Sequence, residues 1–159
     1  MTKSSITIMI SQLPKLLLDK QRLAIYFCSL FVLLSFVALY SVLHQNWLSI
    51  YISELRNISI FTLLFSLTAS FVYKKISPLY VLVIALCLMA ISLAMHAFYL
   101  NNQQNPIYLL LMIHFVFILD LAYAVPAMIT CIAINSGIQN RGMATSLYTS
   151  ILFIGASLG

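Results

Sequence analysis

The sequence predicts an all-α protein that crosses a membrane several times. Of its 159 residues, 63% are hydrophobic and 7% are charged, whereas a soluble domain carries roughly a quarter charged residues. The apolar residues form about five long segments separated by short polar turns. A chain this apolar cannot bury its side chains in one small core, so lipid must be its solvent. We therefore expect a polytopic transmembrane helix bundle whose main partner is the lipid bilayer.

The segment 1–22 precedes the first long apolar stretch and differs from it in composition. Its apolar residues at 6–10 are interrupted by Ser11, Gln12 and Pro14, and no small-residue cleavage site follows. These features argue against a secretory signal peptide. We expect this segment to lie in the cytoplasm or at the membrane interface.

Two apolar stretches follow and predict the first two spans. The stretch 23–43 is uncharged and long enough to cross about 30 Å of hydrocarbon as a helix. The stretch 57–73 predicts the second span. A tight basic turn, with Lys74 and Lys75 followed by Pro78, closes it.

The third and fourth spans are predicted over 79–100 and 107–134. Pro106 suits the first turn of the fourth helix, because its missing N–H would have no helical partner there. The fourth stretch is longer than a crossing requires, so it should tilt or kink. Pro126 gives the kink a cause, since it removes the hydrogen bond to the Ala122 carbonyl.

A fifth span is predicted over 144–159, after a turn at 135–141 that contains Gly137. Its apolar part covers about two-thirds of a membrane crossing. We therefore expect an incomplete last span, as in a truncated bundle.

The distribution of basic residues predicts the orientation of the chain. With alternating crossings, one side of the membrane holds Lys3, Lys15, Lys20, Arg22, Lys74, Lys75 and Arg141. The other side holds Arg56. Because cytoplasmic loops carry the excess of Lys and Arg, we expect a multi-pass protein of the cell's inner (plasma) membrane with a cytoplasmic N-terminus.

Asp120 is the one acid inside a predicted span, and it lies near the middle of the fourth helix. An ionised carboxylate at that depth is costly unless it faces a cavity, finds a partner or takes a proton. It is therefore a candidate site for coupling to a proton or a cation. The alternative is a structural carboxyl group that bonds a neighbouring helix or the carbonyl freed by Pro126.

His96 and His114 are the other ionisable residues inside the predicted spans. His114 lies six residues before Asp120, about 240° around the helix, so the two face different sides and cannot form a relay along one helix. We expect both histidines to be hydrogen-bonded groups near the membrane interface. His114 is kept as a second coupling candidate.

Small residues mark two stripes on the fifth segment. Gly155 and Gly159 form a GxxxG spacing, and Gly142, Ser146 and Ser150 form a second stripe. Faces of this kind let membrane helices approach closely. We expect them to pack helices within one bundle rather than to join two copies.

Other function classes are disfavoured by the sequence. No metalloprotease, nucleophile-elbow or phosphate-loop motif occurs, so we expect no enzyme and no cofactor. The cysteines Cys28, Cys87 and Cys131 lie in different spans without metal-ligand spacing. The basic residues are scattered at the ends of apolar segments, which argues against a nucleic-acid partner.

The fifth segment contains the residues Arg141-Gly142, Ala144, Leu147-Tyr148, Gly155 and Ser157-Leu158-Gly159. In this pattern it resembles the junction between the tenth and eleventh helices of major facilitator superfamily transporters, particularly the bacterial arabinose-efflux and drug-efflux permeases. Residues 36–40, Phe-Val-Ala-Leu-Tyr, are similar to the seventh helix of that group. The resemblance implies that the five spans are helices seven to eleven, part of the C-terminal half.

The basic turn after the second span departs from the pattern of that family, which often has Gly-x-x-x-Asp-Arg-x-Gly-Arg there. Ala69 stands at the first Gly, Tyr73 at the Asp, Lys74 at the Arg and Ile76 at the second Gly. The charge lock associated with this motif is therefore not expected here.

The expected function is transport of a small molecule by part of a proton-coupled efflux permease, with a complementary transporter half as partner. In that case Asp120 is the coupling candidate. The expectation of transport rests on the resemblance to the transporter family. The alternative is a membrane protein that does not transport, either the remnant of a gene or a small helical assembly partner.

Overall fold

The computed structural model describes residues 19–45, 47–101 and 106–159. Among them 94% are helical and none is in a strand, which confirms the all-α prediction. The expectations for the N-terminal segment fall almost entirely on residues outside this described part.

Helix α1 is Lys20–Gln45. It begins before Leu23, where the uncharged stretch starts, because Asp19 acts as its N-cap. The Asp19 Oδ1 atom accepts hydrogen bonds from the backbone N–H groups of Gln21 at 2.9 Å and Arg22 at 3.4 Å. A carboxylate is a favoured cap, since it satisfies N–H groups that have no partner within the helix.

The second span is longer than predicted and is not one regular helix. It consists of a 3₁₀ turn at Trp47–Tyr51, helix α2 at Ile52–Leu63, a second 3₁₀ turn at Leu64–Thr68 and helix α3 at Ala69–Tyr73. The helical structure begins before residue 57, in keeping with the shortness of the predicted stretch 57–73. Glu54 and Arg56 lie exposed, while Leu55 between them is fully buried, so the charged pair does not end the helix.

Helix α4 is Pro78–Asn101 and helix α5 is Ile107–Asn135, within a residue of the predicted stretches. The Pro78 ring suits the first helical position, where no N–H is needed. Helix α5 continues through Pro126 to its end, so the proline does not terminate it.

The turn before the last helix is shorter than predicted. The Ser136 hydroxyl donates to the Ile132 carbonyl at 2.6 Å, and Gly137 has φ of 66°. This left-handed conformation, which glycine adopts without steric cost, separates α5 from the helix that follows. Helix α6 therefore spans Gly137–Leu158, and the first residues after Gly137 are helical rather than part of the turn.

Within the described residues, four helical stretches are long and apolar enough to cross a membrane: Lys20–Gln45, Leu48–Tyr73, Pro78–Asn101 and Ile107–Asn135. Helix α6 is less apolar, because polar residues and Arg141 occupy its first turns. Large apolar side chains are exposed along the spans, including Phe27 at 66%, Phe61 at 71% and Phe98 at 70%. Such surfaces suit hydrocarbon rather than water, so the chain is a membrane-embedded helical protein.

The chain divides into two compact units, one formed by 1–41 with 129–159 and the other by 42–128. In the first unit, the Tyr26 hydroxyl of α1 donates to the Ala144 carbonyl of α6 at 3.2 Å. Tyr26, Ala144 and Tyr148 are all buried there. The second unit has its own core, which includes Leu48, Leu55, Leu110, Phe117 and Ile118.

Candidate functional site

Asp120 lies on α5 in the wall of a pocket within the second unit. The pocket has a volume of about 260 Å³, slightly below the range of typical small-molecule sites. The residues that line it are Val72, Ile76, Val81, Ile84, Ala85, Leu88, Leu119, Asp120 and Tyr123. Asp120 and the Tyr123 phenol are its polar groups, so a carboxyl group faces an otherwise apolar space.

The carboxyl group of Asp120 is almost completely buried, with 5% of the residue exposed. Its Oδ2 atom has no hydrogen-bond partner among the described residues. A buried acceptor normally has a partner, because leaving it unsatisfied costs free energy. Protonation of the carboxyl group would remove the cost of a buried charge at this position.

The pocket extends along the first half of α4. Ile76 lies in the turn between α3 and α4, Val81 follows in the first turn of α4, and Leu88 lies near the middle of that helix. The pocket therefore reaches from the middle of the span to the basic turn that contains Lys74 and Lys75.

Tyr123 fixes the position of Asp120 relative to the second span. Its hydroxyl lies 2.8 Å from the Thr68 hydroxyl, at the end of the second 3₁₀ turn. Its carbonyl accepts a hydrogen bond from the Tyr73 hydroxyl at 2.9 Å. Because Tyr123 is three residues after Asp120, it shares that face of α5, and these bonds hold the wall of the pocket together.

The second polar cluster of this unit contains the two histidines. The His114 Nε2 atom lies 2.9 Å from the Ser59 Oγ atom of α2, and the Ser59 hydroxyl donates to the Leu55 carbonyl at 2.8 Å. The His96 Nδ1 atom lies 2.9 Å from the Ser92 carbonyl oxygen, one turn earlier on α4. The ring centroids of His96 and His114 are 5.7 Å apart.

The two histidines are buried side by side, which the sequence did not indicate. His96 is 1% exposed and His114 is fully buried, and the Phe117 ring packs against both at centroid distances of 5.9 Å and 6.3 Å. Helices α4 and α5 follow each other across a short connection, so residues at similar distances from it face each other. Counting residues outward from that connection along both helices would have predicted that the two histidines are neighbours.

The small residues of α6 separate into two groups. A Cβ atom on Gly155 would collide with the backbone carbonyl of Leu30 on α1, and one on Gly159 would come within 2.5 Å of the Leu34 carbonyl oxygen. These two glycines therefore allow close contact between α1 and α6.

The packing role expected for the second stripe is not observed. Gly142, Ser146 and Ser150 are exposed, and a Cβ atom on Gly142 would meet nothing within 4 Å among the described residues. The reason is geometric, because the face of α6 that packs in this unit passes through Ala144, Tyr148 and Gly155 instead.

The basic residues predicted at turns lie on the surface. Lys74 and Lys75 are exposed, and the Lys74 Nζ atom lies 5.4 Å from the centroid of the Phe71 ring. Arg141 is also exposed, and its Nε atom donates to the Ala133 carbonyl near the end of α5 at 3.2 Å. A cation at this position also complements the negative end of the helix dipole.

The described residues contain no group of three or more His, Cys, Asp or Glu side chains that could hold a metal ion. Comparisons with protein-family models, with curated proteins and with solved structures gave no match.

Proposed function

We propose that this chain transports a small molecule across the cell's inner membrane, as part of a proton-coupled permease of the major facilitator type. One observation carries the proposal, namely the buried carboxyl group of Asp120 in the wall of an apolar pocket inside a membrane span. Its partners are the lipid bilayer, a small-molecule substrate and a complementary transporter half. The role is not enzymatic.

The cost of placing a carboxylate in the membrane supports a role for Asp120 in coupling. A charge at this depth is stabilised by an incoming proton or by a cationic group of the substrate, and either event changes the charge that the pocket presents. The pocket provides room for the substrate next to the carboxyl group. Proton binding and substrate binding at one carboxyl group would then compete, which is one way to couple two fluxes.

The proposed orientation supports the outward direction of transport. The pocket reaches the turn between α3 and α4, and Lys74 and Lys75 of this turn are placed in the cytoplasm by the positive-inside rule. The N-terminus lies on that same side in this proposal. A pocket that extends to the cytoplasmic face can load from the cytoplasm, as an efflux permease must.

Transport is tested by reconstituting the chain, alone and with a complementary half, into liposomes with an imposed pH gradient. Ethidium, an aromatic cation, and arabinose, an uncharged sugar, serve as probes. We expect the gradient to drive accumulation of one of them and Asp120→Asn to reduce it at least tenfold. Asp19→Asn is the matched control, because asparagine also caps a helix. Equal accumulation by Asp120→Asn, or gradient-driven accumulation of neither probe, contradicts the proposal.

The alternative function is that of a helical assembly partner in the membrane. It is favoured by the exposed small-residue stripe of α6, formed by Gly142, Ser146 and Ser150, since small residues let a second helix approach closely. The test is Ser146→Cys in a chain without other cysteines. Disulfide capture of a second membrane protein, together with absence of flux, supports assembly over transport.

A further inference from the structure

The paired histidines form a polar cluster separate from the Asp120 pocket. His96 lies five residues before the end of α4, whereas Ala85 of the pocket lies eleven residues, about 16 Å, further back along the same helix. The cluster is therefore nearer the end of α4 and the start of α5, and the pocket is nearer the basic turn.

The hydrogen bonds determine which ring nitrogens of His96 carry hydrogen. Its Nδ1 atom lies 2.9 Å from the Ser92 carbonyl oxygen. A carbonyl oxygen can only accept, so Nδ1 carries the hydrogen and Nε2 of the neutral ring carries the lone pair.

The same reasoning determines the tautomer of His114. The single hydroxyl hydrogen of Ser59 is donated to the Leu55 carbonyl at 2.8 Å. The Ser59 oxygen must then accept from the His114 Nε2 atom, which lies 2.9 Å away. In the neutral ring of His114 the hydrogen is therefore on Nε2 and the lone pair is on Nδ1.

The Nε2 atom of His96 is a basic nitrogen in a closed site. It is buried and has no hydrogen-bond partner among the described residues, and its residue is 1% exposed. Both neighbouring rings, His114 and Phe117, are within 6 Å between centroids. Buried acceptors are normally satisfied, so this nitrogen requires a donor.

We infer that His96 and His114 together form one buried site that binds a single proton, with Ser59 as the residue that positions His114. A hydronium ion delivers the proton. Its O–H bond breaks, a water molecule is released and a new N–H bond forms at the lone pair of His96 Nε2, so that the pair gains one positive charge. The new N–H can donate to the lone pair of His114. The centroids of the two imidazole rings are 5.7 Å apart, which places the His114 ring beside the new N–H.

The site takes one proton rather than two because the rings are close. Two positive charges separated by 5.7 Å repel each other enough to weaken the second protonation about 100-fold at an effective dielectric constant near 20. The polar group that faces the pair from α2 is Ser59, while Glu54 and Arg56 of that helix are exposed. Tyr99, one turn after His96, is also buried, and Asp120 on α5 lines the separate apolar pocket.

This inference does not depend on transport. The pair binds its proton whether or not the chain moves a substrate, so the absence of flux would not contradict the inference. If the chain is a transporter, the pair is a second proton site, displaced along the helices from Asp120.

The test is nitrogen NMR of the whole chain in lipid nanodiscs, with ¹⁵N in the histidine rings. Bare and protonated ring nitrogens have separate resonances, and His96→Gln, His114→Gln and His44→Gln assign them. At alkaline pH we expect one buried ring protonated at Nδ1 and the other at Nε2. As the pH falls, one of the two rings gains a second N–H, and the other remains neutral for about two further pH units.

Three results overturn the inference. They are the same tautomer in both buried rings, protonation of both rings within about one pH unit, and protonation of neither ring before the helical circular dichroism signal is lost. His44→Gln is the control, since His44 is exposed at the end of α1, and it should leave the pair unchanged.

Ser59→Ala tests the positioning residue. Without the hydroxyl, the fixed Nε2–H tautomer of His114 should be replaced by a mixture of tautomers, while Ser59→Thr should restore it. An unchanged tautomer in Ser59→Ala excludes Ser59 from this role, and a mixture in Ser59→Thr contradicts the proposed hydrogen bond.

Discussion

At the residue scale, single polar groups inside the membrane account for most of what is distinctive in this chain. Asp120 stands out in the sequence because it is the one acid in a long apolar stretch. The residues around Asp120 could not be recognised in the sequence, because the pocket is assembled from three separate parts of the chain. Likewise the bonds of Tyr123 to Thr68 and Tyr73 depend on the register between neighbouring helices, which a hydropathy pattern leaves open.

Tyr73 gives a prediction at this scale. Tyr73→Phe removes the hydroxyl that donates to the Tyr123 carbonyl, which should lower the free energy of unfolding by about 1 kcal/mol. The measurement is unfolding by denaturing detergent, followed by circular dichroism. Tyr80→Phe is the control, because Tyr80 is 70% exposed, and it should change stability little. Equal effects of the two substitutions are incompatible with a stabilising bond at Tyr73.

At the element scale, apolar length predicts the spans well but their ends less well. Helices α4 and α5 follow the apolar stretches closely, because a proline stands at or just before the first residue of each. Helix α1 starts before its apolar stretch because Asp19 caps it, and the second span starts early because Glu54 and Arg56 can remain exposed. The 3₁₀ turn at Leu64–Thr68 lacks a proline or glycine signal, so the sequence did not reveal it.

The two glycines of α6 give a matched pair of substitutions at this scale. Gly155→Ala places a Cβ atom against the Leu30 carbonyl, whereas Gly142→Ala places one in open space. We expect Gly155→Ala to destabilise the first unit by about 1–3 kcal/mol through overpacking. Gly142→Ala should be neutral or stabilise α6 by up to about 1 kcal/mol, since alanine favours helix more than glycine does.

The pair is compared by detergent unfolding and by disulfide trapping between cysteines placed on α1 and α6. A loss of stability in Gly142→Ala as large as that in Gly155→Ala means that α6 packs through a different face. The sequence identified the GxxxG spacing but could not show which small residues pack, because both stripes have helical spacing.

At the scale of the whole molecule, the apolar composition alone indicates that lipid surrounds the helices. The exposed side chains of the spans are large and apolar, and four helical stretches have the length and hydropathy to cross a bilayer. The orientation that we propose for the helices rests on the charge distribution, and the proposed direction of transport rests in turn on that orientation.

Cysteine accessibility tests the central proposal most directly, namely that the pocket lined by Asp120 can be reached from the cytoplasmic side. In a chain without other cysteines, Asp120→Cys is treated with a small water-soluble methanethiosulfonate, once from each side of the membrane. Lys75→Cys is the positive control, and Ile129→Cys, on the exposed apolar surface of α5, is the negative control, since a thiol in lipid does not form the reactive thiolate. The account predicts reaction of Asp120→Cys and Lys75→Cys from the cytoplasmic side and none of Ile129→Cys. An unreactive Asp120→Cys beside a reactive Lys75→Cys contradicts it.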